Sequence, residues 1–149
     1  MTRALYLLIP VSLGILTGLG GYTFFYAQGH SYLLDDPKAC MNCHVMRSRY
    51  DSWVRSSHHA AATCNGCHTP HDLIGKYATK AINGWNHSAA FTTGDFAEPI
   101  RIHGLNAGIA HDNCVRCHKD MVSKMRAYGY PDKVDCVRCH GNVGHGERF

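Results

Sequence analysis

Residues 114–118 read Cys-Val-Arg-Cys-His, and residues 136–140 repeat the same five letters. Upstream, Cys40-Met41-Asn42-Cys43-His44 and Cys64-Asn65-Gly66-Cys67-His68 share the frame, so all eight Cys fall into four Cys-x-x-Cys-His units. This is the attachment sequence of c-type haem. Two thiols three positions apart each add across one vinyl group of a single porphyrin, and the next residue then sits under the iron, where an imidazole binds it. Paired Cys-x-x-Cys units also build zinc sites, but zinc does not require a His immediately after each pair. A disulfide framework fails too, because pairs three positions apart staple almost nothing in a domain. The reading is four covalently attached haem c groups, held by Cys40, Cys43, Cys64, Cys67, Cys114, Cys117, Cys136 and Cys139.

A chain of 149 residues with eight Cys and twelve His has more sulfur and imidazole than ordinary packing needs. With about 30 residues per haem beyond the N-terminal segment, the porphyrins take the place of a Leu and Phe core, wrapped by short helices and loops. The expected class is therefore mostly α: one N-terminal transmembrane helix, then a small haem-packed multihaem cytochrome c domain. Helical turns are expected near Pro37, over 47–57 and 72–83, and over 119–128, with Gly-rich or Pro-containing connections and no strand alternation. The first Cys of successive motifs are 24, 50 and 22 positions apart, which suggests two dihaem units joined by segment 69–113. The formal charge is +4 with Lys and Arg scattered, so no basic stripe of the kind that binds nucleic acid is present. Four ferric haems, at about one negative charge each with their propionates, bring the whole near neutrality. No free Cys remains for nucleophilic chemistry, and no Ser-His-Asp pattern or Gly-rich phosphate loop stands out.

Residues Ala4 to Ala27 run 24 positions without a formal charge, against about 20 needed to cross a bilayer. A cleaved signal has an apolar region of only about 7 to 15 residues, so the segment reads as an uncleaved signal-anchor, residues 1–28, ahead of a tetrahaem domain, 29–149. Arg3 before the span leaves the N-terminus cytoplasmic by the positive-inside rule, with the haem domain in the periplasm and the chain single-pass in the inner membrane. Tyr22, Phe24, Phe25 and Tyr26 cluster at the outer interface. Gly14, Gly18 and Gly21 share one helix face that a helix, lipid or quinone tail can approach, and Pro10 lies one turn further in.

Eight His lie outside the motifs, whereas bis-His ligation of four irons needs at most four. His68, His118 and His140 are axial ligands by motif. His58, His111 and His145 lie near motifs and are the best distal candidates, while His59 adjoins His58 and points elsewhere. His30, His71, His87 and His103 default to solvated or hydrogen-bonded roles. At the first motif, His44 is the default ligand, but Met46 follows two residues later and competes with it.

A single N-terminal anchor, four haem motifs and Cys40-x-x-Cys43-His44-x-Met46 together resemble the NapC/NirT family of quinol dehydrogenases, specifically the small subunits of cytochrome c nitrite reductases. The resemblance covers essentially the whole chain. It implies that Met46 rather than His44 binds the first iron, whose other face is left without a strong protein ligand. It also implies that one other haem takes a ligand from a catalytic partner; the second motif, ending at His68, is the candidate. The implied activity is oxidation of menaquinol from the membrane quinone pool, with electrons passed to a multihaem nitrite-reducing subunit in a hetero-oligomer. Lys80, with Lys76 behind it, matches the Lys expected at the quinol site. An acidic counterpart is expected around Asn86, where the chain has an amide. The alternatives are the same dehydrogenase feeding another periplasmic reductase, and a non-catalytic membrane-tethered electron carrier.

Overall fold

The computed structural model describes residues 2–131 and 134–146. The chain divides into two compact units, Met1–Leu34 and Asp35–Phe149. The first is dominated by α1 (Thr2–Tyr26), with Pro10 inside it. Its stretch Ala4–Tyr26 is long and apolar enough to cross a membrane, with a mean hydropathy of 1.8. A Cβ added at Gly14, Gly18 or Gly21 would meet nothing, so that face of the helix is open. The helix ends as Gln28 turns left-handed and a 3-10 turn, Gly29–Leu33, folds back. Gly29 is required there: a Cβ at this position would stand 2.5 Å from the ring of Phe24. His30 packs on Phe25 at 6.0 Å between ring centroids.

The second unit consists of short helices: α2 (Lys38–Met41), α3 (Arg47–Val54), α4 (Cys64–His68), α5 (Leu73–Thr93), α6 (Gly104–Cys117), α7 (Lys119–Ala127) and α8 (Cys136–Cys139). Among the described residues there is no strand. Each haem motif lies in or beside a helical turn, which puts the two Cys on one face. Two of these turns are capped by the residue before the first Cys: Thr63 Oγ1 accepts from the Gly66 N–H, and Asp135 Oδ1 from the Arg138 N–H.

The turns expected near Pro37, over 47–57 and over 119–128 are present as α2, α3 and α7. The helix expected over 72–83 continues ten residues further. Asp72 Oδ1 caps it through the Gly75 N–H at 2.6 Å, and it stops where Gly94 takes a φ of 72°. α6 was read as connection and is a helix of 14 residues. It packs directly on α4, so the second and third motifs, from the two dihaem units that the spacing suggests, are neighbours. Asn113, buried on α6, fastens this contact by donating from Nδ2 to the carbonyls of Cys67 at 3.0 Å and Thr69 at 2.9 Å.

Packing is sparse in the way a cofactor-filled domain requires. Among the described residues the only buried apolar side chain is Trp53, and none is fully buried. Trp53 donates from Nε1 to the Ala62 carbonyl at 3.0 Å and packs against Tyr50 and His59. A polypeptide of this length without a hydrophobic core needs another apolar body to fold around.

Candidate haem and quinol sites

The four motifs set the frame. The thiols of Cys40 and Cys64 are in hydrogen-bond contact, so the first and second motifs meet at their leading cysteines. That contact holds Cys40 down to about 7, with the charge of Lys80 assisting, and pushes Cys64 well up. Burial pushes up the thiols of Cys43, Cys67 and Cys114. None of the eight cysteines is in a disulfide.

Two pairs of imidazoles face each other across open gaps. His68, at the end of α4, faces His145 with ring centroids 6.1 Å apart and planes 30° apart. His118, at the junction of α6 and α7, faces His58 at the same 6.1 Å with planes at 69°. Two imidazoles bound to opposite faces of one metal, at about 2 Å per metal–nitrogen bond, have ring centroids about 6 Å apart. The spacing is too wide for ring stacking and fits one iron in each gap.

The outer partner of each pair is oriented through its far nitrogen. His145 Nδ1 lies 3.1 Å from the Arg49 carbonyl and His58 Nδ1 lies 3.2 Å from the Val143 carbonyl. A carbonyl fixes the proton on Nδ1 and leaves Nε2 as the ligand, as in most metal-binding His. Burial pushes the His68 imidazole down to about 4, with His145 adding to the effect, and burial also lowers His145. Both are therefore held neutral, the form that binds metal. The donor set, the gaps and the missing apolar core together fit covalent haem.

Other expected ligands fall differently. No second imidazole packs against His111 or His140 among the described residues. His111 is half-buried on α6 and remains outside both pairs. At the second motif, where the resemblance implies a partner-supplied ligand, His145 is the imidazole that faces His68. At the first motif His44 is exposed, its ring edge-on to Phe91 at 6.0 Å, whereas Met46 is half-buried in the 3-10 turn His44–Met46. His59 turns to Trp53 at 4.6 Å, and His71 to Arg116. His103 is the residue before α6, and burial lowers His87 on α5.

Lys76 and Lys80 stand one turn apart on the inward face of α5. Lys80 is 7% exposed. The acid they meet is Asp35, not a residue near Asn86. Lys76 Nζ lies 2.5 Å from Asp35 Oδ2, and Lys80 Nζ 3.2 Å from Oδ1. Asn65 of the second motif donates to the same Oδ1 at 2.9 Å. Both amino groups also lie over the ring of Tyr77, at 5.9 and 5.6 Å. A cleft of about 180 Å³ opens beside Asp35 and Lys76, lined also by Thr63, Asn65 and His71. No sequence pattern pointed to Asp35; its one legible signal is its place at the start of the haem domain, ahead of the first motif.

Comparison with known proteins agrees with this architecture. A family model described as the NapC/NirT cytochrome c family, N-terminal region, matches residues 1–148. The chain is similar to cytochrome c-type protein NrfH of Wolinella succinogenes, 38% identical over 148 residues, covering 92% of this chain and 84% of that protein. It is also similar to cytochrome c nitrite reductase subunit NrfH of Nitratidesulfovibrio vulgaris, 31% identical over 111 residues, covering 74% and 68%. Among solved structures it resembles a chain of the cytochrome c nitrite reductase NrfHA complex bound to the HQNO inhibitor. There the TM-score is 0.61 and the identity 28%, with 93% of this chain and 88% of that one covered.

Proposed function

Because the chain belongs to the NapC/NirT cytochrome c family, we propose that it is the membrane-anchored tetrahaem subunit that oxidises menaquinol and passes the electrons to a cytochrome c nitrite reductase catalytic subunit. The observation that carries this reading is likeness along nearly the whole chain to NrfH proteins and to the NrfHA complex. α1 anchors the protein beside the quinone pool, with the haem domain on the periplasmic side as Arg3 directs. Covalent haem c supplies one-electron acceptors in series, whose potentials are set by ligand, burial and nearby charge.

The remaining work falls to the chain's own residues. His68 with His145, and His58 with His118, would hold the second and third haem groups. Met46 would hold the group at the first motif; the outward turn of His44 onto Phe91 supports this. His140 would hold the group at the fourth. Menaquinol gives up two protons with its two electrons, so its oxygens need polar groups beside the first motif. Lys80 and Lys76 supply them: an amino group aimed at a quinol oxygen stabilises the negative charge that develops as the hydroxyl proton leaves.

The test is reduction of the purified holoprotein by menaquinol, followed by reoxidation when the catalytic subunit and nitrite are added. Reduction in both the presence and absence of the partner, with reoxidation only in its presence, is expected. Reduction by soluble donors alone would leave a tethered electron carrier.

A further inference from the structure

We propose that Asp35 is the positioning residue of the quinol site, holding the amino groups of Lys76 and Lys80 on one carboxylate between the first and second haem motifs. The inference rests on the reading that these two lysines meet the quinol, and goes beyond it by naming what fixes them.

Two lysines at i and i+4 on one helix face repel each other, and long amino side chains left alone swing outward to water. Here they do the opposite. Lys80 is buried, and both amino groups turn toward the same carboxylate, one on each oxygen. Asp36, next in the chain, is turned to the Lys38 backbone N–H instead.

The carboxylate is itself held in plane, because Asn65 donates to the oxygen that Lys80 shares. Asn65 follows Cys64 directly, and the thiols of Cys64 and Cys40 touch, so the clamp is attached to the covalent anchor points of two haems. The charged and titratable groups facing it are Lys76, Lys80 and Tyr77 from α5 and Cys40 from α2, the last a thioether once haem is attached. With the Asp35 side chain 55% exposed, one oxygen edge meets solvent while the lysines stay inside. The arrangement presents two hydrogen-bond donors at fixed positions, which favours a ligand with oxygen acceptors over a free fluctuation of either side chain.

The experiment uses the tetrahaem holoprotein in lipid nanodiscs with Asp35→Asn, Asp35→Glu and Lys80→Gln. Two quantities are read: the steady-state constants for a menaquinol analogue, and the equilibrium dissociation constant of HQNO. Asp35→Asn is expected to raise the HQNO constant about tenfold and to lower kcat/KM by at least about tenfold, since the lysines lose their fixed positions in both the ground state and the transition state. Asp35→Glu, which keeps the charge, recovers most of it. Haem spectra and reduction by dithionite stay as in the parent protein. Asp35→Asn behaving as the parent while Lys80→Gln is impaired overturns the role of Asp35 alone; Lys80→Gln without effect overturns the quinol-site reading beneath it. If Asp35→Asn lowers haem content, Asp35→Glu decides, since failure to bind HQNO normally despite full haem content and retained charge also counts against a positioning role.

Discussion

His68 and His145 are 77 positions apart in sequence and face each other with ring centroids 6.1 Å apart. Nothing local brings them together. The C-terminal segment carries His145 back until its Nδ1 meets the Arg49 carbonyl, with its ring set beside that of His68. The first prediction follows directly. His145→Ala converts one haem in four from low-spin to high-spin in the ferric state, visible by EPR, while the other three signals persist. A set of low-spin signals unchanged from the parent would mean that another side chain closes this iron.

The second pair shares the same strap. His58 Nδ1 meets the Val143 carbonyl, so the segment that carries His145 also orients the imidazole opposite His118. Truncation after Gly141 therefore perturbs two haems, although it removes only one proposed ligand. The His145→Ala variant perturbs one. A shift in only one haem signal in the truncated protein would show that His58 holds its tautomer without Val143.

At the first motif, ligand choice is testable by a pair of substitutions. Met46→Leu is expected to change the ferric spectrum of one haem and to lower menaquinol-driven reduction at least about tenfold, since the ligand sets both potential and the open side. His44→Ala is expected to leave both near the parent values, because its ring is exposed and packs only edge-on against Phe91. The reverse result would return the first iron to His44.

How much of this was legible depends on whether the determinant is local. The haem motifs and the apolar span are written in consecutive residues, so attachment sites, helical class and anchor could be read directly. Proximity to a motif singled out His58 and His145 as ligands, yet their pairing depends on the path of the strap and could not be read. α6 was missed because Gly104, Asn106, Gly108 and Asn113 are poor helix formers; packing on α4 supplies what propensity lacks. α5 was cut short at Asn83 because Gly84 interrupts the pattern. Asp35 lies 41 and 45 positions from its two lysines, beyond any periodicity, so its contact with them could not be read from the sequence.

Asn113 ties the second motif to the third. Its buried amide satisfies the carbonyls of Cys67 and Thr69, and Thr69 is itself only 4% exposed. Asn113→Ala leaves two buried carbonyls without a donor, at a cost of about 1–3 kcal/mol. Guanidinium unfolding of the holoprotein, followed by haem absorbance, should show a lower midpoint. An unchanged midpoint would mean that the porphyrins alone hold α4 against α6.

Asp35 also gives a pH dependence with a definite sign. Its carboxyl is held below the usual carboxylate range, first by the Lys76 hydrogen bond, against the opposing effect of burial, with Lys80 and Asn65 adding to Lys76. A carboxyl lowered on folding stabilises the folded state above its ordinary value of about 4, and that stabilisation is lost as pH falls through the lowered value. The carboxylate is more than half exposed, so solvent screening keeps the contribution within about 1 kcal/mol. Thermal unfolding of the holoprotein should therefore separate Asp35→Asn from the parent at neutral pH, by a few degrees at most, and the two curves should converge in acid. A gap that widens in acid would require Asp35 to be held above its ordinary value, which is incompatible with two lysines on one carboxylate.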